Sequence, residues 1–254
     1  MDTRWLAGAE PSSGAALRLF CLPYAGGAAA AYRPWRELAP PGVEVLAVEL
    51  PGRATRVREE PYVRLTPLVR ALAGAVADGL DRPFALFGHS MGALVAFELT
   101  RALRRMGLPM PRHLFVSAAD APDARPGESR LFDAPDEEVK ARLRRLNGTP
   151  LHLLEDEELM TLILPTLRAD FAVLETYEYR EEPPLPVPFT VLGGTADPSV
   201  SPAALLRWRR HSAVSAELRL FAGDHFYLNT VPAELVRTVV ERLGLPESVE
   251  GSRW

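Results

Sequence analysis

Six short apolar runs rich in β-branched and aromatic residues recur along the chain, each closing on a turn signal. They are LRLFCLP from Leu17, VEVLAVELPG from Val43, PFALFGHS from Pro83, HLFVSAAD from His113, FTVLGGTADP from Phe189 and AELRLFAGDH from Ala216. Several are nearly continuous in hydrophobicity, as strands buried on both faces must be, so they predict a mostly parallel sheet. Between them lie segments of helical period. Thr66 before Pro67 and Ser201 before Pro202 each pair an N-capping hydroxyl with proline in the first turn. A third helix, from Met91 towards Met106, follows its strand after a very tight turn. Strand and helix alternating through short links is the grammar of a doubly wound α/β fold.

The alternation stops between about residues 125 and 185. Two helical patterns, DAPDEEVKARLRRLNG and DEELMTLILPTLRADFAVLETYEY, follow one another there without a strand between them. Met160, Ile163, Leu164, Leu167, Phe171 and Leu174 recur every three or four residues and form one apolar face. Pro165 falls inside that pattern, where a kink or a helix restart is expected. This segment reads as a helical insertion, either a layer on the sheet edge or a lid over a pocket; the lid is preferred because the insertion interrupts a doubly wound sheet. EEPPLPVP from Glu181 is the return linker.

Composition narrows the function. The chain has 254 residues, 47% apolar and 24% charged, which suits one large α/β domain with a sizeable core. With 29 basic and 33 acidic residues the net charge is −4, which disfavours a dedicated nucleic-acid binder. The single cysteine, Cys21, lies in an apolar strand and reads as core; it excludes an intrachain disulfide and thiolate metal clusters. No apolar run has the length of a signal peptide or a membrane span, so a cytoplasmic location is expected.

The chemistry centres on GHSMG, Gly88 to Gly92, which fits G-x-S-x-G where a strand turns abruptly into a helix. Such a turn lifts the serine hydroxyl above the sheet, so Ser90 is the candidate nucleophile. A serine hydroxyl needs a base to take its proton and a carboxylate to orient that base. Of the five histidines, His225 in GDHFYL follows the last predicted strand and is the candidate base; His89, His113, His152 and His211 each have a structural reading. Asp197 in GGTADP completes the chain order Ser90, Asp197, His225 expected of this fold, with Asp120 as the rival and Asp224 disfavoured by its adjacency to His225. The oxyanion formed on attack requires backbone donors. Met91, after the nucleophile, supplies one; PYAGG, Pro23 to Gly27, supplies the other through Ala25, with its neighbour Gly26 as the alternative.

PYAGG, LPGR at Leu50 to Arg53, GHSMG, GGTADP and GDHFYL, in this order and spacing, resemble the type II thioesterases that accompany modular polyketide and nonribosomal peptide synthases. The similarity spans about residues 17 to 243. It implies an α/β-hydrolase fold with a helical lid and hydrolysis of misprimed or stalled acyl units from the phosphopantetheine thiol of acyl or peptidyl carrier proteins. No metal or organic cofactor is then required, the pantetheine belonging to the substrate. Medium-chain fatty acyl thioesterases share these motifs, and a carboxylesterase on the same fold would share the triad. A catalytically idle binding subunit is disfavoured by the complete set of nucleophile, base and acid. Arg53 reads as a structural ion pair or a pocket-rim charge. Of three basic clusters, at Arg101 to Arg105, Lys140 to Arg145 and Arg207 to Arg210, the one at Lys140 to Arg145 is the preferred docking surface for an acidic carrier protein.

Overall fold

All six apolar runs become strands of one sheet: β1 Leu17–Leu22, β2 Val43–Ala47, β3 Phe84–His89, β4 Leu114–Ser117, β5 Phe189–Gly194 and β6 Ala216–Phe221. The computed structural model describes residues 2–7, 14–124, 130–148 and 151–244. Strand order is β2-β1-β3-β4-β5-β6 and every pairing is parallel. All the carboxyl ends of the strands therefore lie along one edge, which is where a doubly wound sheet places its ligands.

Alternate residues of the strands feed two cores. Phe20, Leu86 and Val116 face helices α2 (Leu65–Val76) and α3 (Met91–Arg105), whereas Leu19, Phe87 and Phe115 face α1 (Arg33–Leu38) and α9 (Pro232–Arg242). Burial on both sides explains the near-continuous hydrophobicity of β1 to β5; β6, at the edge, alternates and is half exposed. Ser201 caps α7 (Pro202–Leu206) by accepting from the Ala204 N–H, as its position before a proline predicts. Thr66 does not cap α2. That helix begins two residues earlier than expected, at Leu65, with Arg64 in the cap position and no side-chain cap, because burying Leu65 draws it into the first turn.

Between β4 and β5 the described residues form three helices, α4 (Asp136–Leu146), α5 (Leu151–Leu154) and α6 (Glu157–Glu175), and no strand of the sheet; residues 125–129, at the expected start of the insertion, lie outside the described set. α6 runs unbroken through Pro165, with no restart. Asp156 caps it by accepting from the Leu159 N–H at 2.9 Å, and its apolar face joins Val139, Leu143 and Leu154 in a separate small core, which outweighs the one backbone bond the proline removes. The short helix α8 (Tyr227–Thr230) follows β6 and leads into α9.

The turn from β3 into α3 is the tightest point of the fold. A Cβ on Gly88 would lie 2.0 Å from the Gly92 carbonyl oxygen, and one on Gly92 would lie 2.2 Å from that of Leu22. Both contacts are with backbone, so neither can be relieved by rotating a side chain. Gly92→Ala is expected to destabilise the fold by at least about 3 kcal/mol, the upper range of overpacking. Its urea midpoint is the measurement; a midpoint equal to wild type would mean that α3 can slide away from β1.

Candidate active site

The elbow between β3 and α3 holds Ser90 at φ 54° and ψ −113°, a conformation costing a side-chain-bearing residue about 1–3 kcal/mol. The Ser90 N–H donates to the Ser117 carbonyl at 2.8 Å, which ties the elbow to the end of β4. From there Ser90 lines a cavity of about 480 Å³ at the carboxyl edge of the sheet, within the usual range for small-molecule sites.

His225 and Asp197 reach the same place from the loops after β6 and β5. The His225 Nδ1–H donates to Asp197 Oδ2 at 2.7 Å, with the two side chains only 5% and 1% exposed. The other oxygen, Oδ1, accepts the Ser199 N–H at 2.8 Å and the Ser199 hydroxyl at 2.7 Å. Burial pushes the Asp197 carboxyl up, but the hydrogen bonds from His225 and Ser199 and the nearby imidazole outweigh it and hold the group below its ordinary value. Asp197 thus stays ionised and fixes Nδ1 as the protonated ring nitrogen, leaving Nε2 to act as base. Ser90 and His225 both line the cavity.

The competing residues have other partners. His89 is fully buried behind the site, where its Nδ1 pairs with Ser117 Oγ at 2.8 Å; burial and then the His225 ring press its pKa well down. His113 pairs with Thr190, burial lowering its pKa to about 4, and His211 pairs with Asp123. His152 is exposed on α5. Asp224 accepts the Phe226 N–H and the Asn147 side chain. Asp120 lines the cavity, but His225 Nδ1 is engaged by Asp197. Cys21 is buried, its thiol pushed up by burial.

The two candidate oxyanion donors flank Ser90. Met91 opens α3, so its N–H is among those a helix leaves without an internal partner. Ala25 lines the cavity from the loop after β1. Gly26, the alternative donor, is already engaged: its N–H donates to Asp170 Oδ2 at 2.7 Å. Asp170 in turn is gripped by Arg53 at 2.8 and 2.7 Å, so the arginine of LPGR belongs to a buried ion pair.

Asp170 and Ser199 belong to no motif. Asp170 nonetheless leaves a trace in the sequence. It falls three residues after Leu167 and four before Leu174, on the apolar face of α6, where a carboxylate must find a partner. Ser199, two residues past Asp197, sits where a short hydroxyl can reach back to the carboxylate.

The family model described as "Thioesterase domain" matches residues 17–243. The chain is 42% identical over 245 residues to the protein named linear gramicidin dehydrogenase LgrE of Brevibacillus parabrevis, covering 95% of this chain and 93% of that one. It is 39% identical over 242 residues to the gramicidin S biosynthesis protein GrsT of Aneurinibacillus migulanus, covering 95% and 94%. Among solved structures, that of the type II thioesterase BorB from the borrelidin biosynthetic cluster superposes with a TM-score of 0.87 at 37% identity, covering 96% of this chain and 99% of that one.

Proposed function

This chain belongs to the thioesterase domain family, and on that premise we propose that it is a discrete editing thioesterase of a modular peptide or polyketide synthase. It hydrolyses acyl groups from the phosphopantetheine thiol of carrier proteins. The observation that carries this reading is the placement of Ser90, on a strained elbow, in one cavity with His225, itself held by Asp197, and with apolar side chains of the insertion.

The geometry supports the following mechanism. Ser90 attacks the thioester carbonyl as His225 Nε2 takes its proton, and the oxyanion rests on the N–H groups of Met91 and Ala25. The imidazolium, steadied by Asp197, returns the proton to the departing thiol. Water activated by the same nitrogen then cleaves the acyl-serine. Every proton passes through His225, so this chain's own residues suffice. Leu143, Ile163, Leu167 and Phe171 form the apolar wall that receives the acyl chain.

For the carrier protein, the basic cluster on α4 divides. Lys140 is paired with Glu137 at 2.9 Å, whereas Arg142 is half-buried in the cavity wall, its pKa lowered by burial and then by Arg145. Arg142, in the cavity wall with Arg145 nearby, therefore supplies the cationic group for an acidic carrier and its phosphodiester. The dehydrogenase named among the relatives suggests dinucleotide chemistry, but no two glycines in this sequence are spaced as G-x-G, the core of that fingerprint.

The test compares one short acyl group presented on a phosphopantetheinylated carrier protein, on N-acetylcysteamine and as an oxyester. A kcat/KM highest on the carrier is expected. Oxyester preference without carrier dependence would make the chain a general esterase and overturn the synthase assignment.

A further inference from the structure

The turn that carries Ala25 is held from outside by a buried pair of charges. Arg53 and Asp170 lie 117 residues apart, their side chains 6% and 3% exposed, and meet through two parallel hydrogen bonds of 2.8 and 2.7 Å. Each also takes one backbone group of the turn: Asp170 Oδ2 accepts the Gly26 N–H at 2.7 Å, and Arg53 Nη1 donates to the Gly27 carbonyl at 2.9 Å. A third bond, from the Gly27 N–H to the Tyr24 carbonyl at 2.8 Å, closes the turn on itself. Leu167, one turn before Asp170 on α6, packs so closely over Gly26 that a Cβ there would lie 2.5 Å from its Cδ2. Gly26 has φ +73°, a backbone shape that suits glycine.

An ion pair that served only to join α6 to the loop after β2 would have no need of these backbone contacts. Here both charges are spent on the peptide groups that follow Ala25. The Gly26 N–H is withdrawn from the reacting centre, and the orientation of the neighbouring peptide is set before substrate arrives. An oxyanion hole depends on that preorganisation, because a donor that must rotate into place during the reaction loses most of its effect.

We propose that Arg53 and Asp170 are positioning residues for acyl transfer: the pair fixes the Tyr24–Gly27 turn so that the Ala25 N–H is its oxyanion donor, and it makes α6 part of the catalytic apparatus. This rests on Ser90 as nucleophile. The carboxyl-terminal half of α6 is then a fixed wall of the site. Thr166 strengthens the anchorage by donating to the Gly52 carbonyl at 2.6 Å, beside Arg53.

The test uses Asp170→Asn, Arg53→Lys and the double variant Arg53→Met with Asp170→Leu, in which no charge is buried alone. Each is assayed with a short acyl N-acetylcysteamine thioester and titrated with a trifluoromethyl ketone of the same chain, whose adduct with Ser90 draws on the same donors. Asp170→Asn and the double variant are expected to lose about 10²-fold in kcat and a similar factor in ketone affinity, with KM within about 3-fold, the scale of one lost oxyanion donor. Arg53→Lys, which keeps the charge and one contact, should lose less than Asp170→Asn. Should Asp170→Asn fail to fold, the double variant and Arg53→Lys carry the test. A folded double variant with wild-type kcat overturns the proposal, and so does a rise in KM alone, which would place the pair in acyl binding. Ser90→Ala in the same assay separates the two readings: if it is active the nucleophile is wrong, whereas an inactive Ser90→Ala beside fully active pair variants sinks the positioning role alone.

Discussion

Ser90→Ala is expected to lower kcat on a carrier-bound acyl group by about 10⁵-fold or more, the scale on which loss of the nucleophile acts in serine hydrolases. The acyl and pantetheine contacts are untouched, so substrate affinity should stay within about 3-fold. A second readout comes from the backbone. Ser90 sits at φ 54° and ψ −113°, where a side chain is strained by about 1–3 kcal/mol. Glycine relieves that strain but costs about 0.5–1 kcal/mol in chain entropy. Ser90→Gly should therefore be as inactive as Ser90→Ala yet more stable than wild type by about 1 kcal/mol, a Tm rise of about 2–4 °C in a chain of this size. Scanning calorimetry beside single-turnover assays checks both halves. Turnover surviving in either variant would remove Ser90 from the mechanism, and a lower Tm for Ser90→Gly would show that the elbow stores no side-chain strain.

The parts of the molecule governed by local pattern were readable from the sequence. Strands buried on both faces must be apolar throughout, so β1 to β5 could be located, while the half-exposed β6 was marked by its apolar residues and closing turn; because parallel strands present their carboxyl ends together, Ser90, Asp197 and His225 could be assigned to one edge. What depended on distant chain could not be read. The Gly26 N–H is taken up by Asp170, 144 residues beyond it, and the proposal of Ala25 as the oxyanion donor rests on that contact. Arg53, which also lines the cavity, pairs with the same carboxylate 117 residues away. Local rules also gave way where tertiary burial was stronger: Leu65 pulled the start of α2 ahead of Thr66, and of the kink or restart expected at Pro165 the restart does not occur, because the apolar face of α6 carries the helix through. In each case burial of a leucine-rich face overrode a preference worth a few kcal/mol at most.

Asp197→Asn is expected to cost about 10⁴-fold in kcat/KM at neutral pH while leaving the fold intact, as when a triad carboxylate is neutralised without moving its partners. The reason lies in what Asp197 accepts. Its Oδ1 takes two donors, the N–H and the hydroxyl of Ser199, and its Oδ2 takes the His225 Nδ1–H. Asparagine has one acceptor oxygen and an NH₂ that only donates. The oxygen will turn to Ser199, because the alternative sets an NH₂ against the fixed backbone N–H. The amide then donates to His225 Nδ1, and the ring must carry its proton on Nε2, where it can no longer take one from Ser90. Ser199→Ala is the contrasting variant. It removes one hydroxyl but leaves the backbone N–H and the imidazole on the carboxylate, so a loss under about 10-fold is expected, the value of one hydrogen bond. NMR of the imidazole nitrogens reads the tautomer directly: protonated Nδ1 in wild type and in Ser199→Ala, protonated Nε2 in Asp197→Asn. An Asp197→Asn enzyme that kept Nδ1 protonated and lost little activity would transfer the orienting role to Asp120, a carboxylate in the cavity wall.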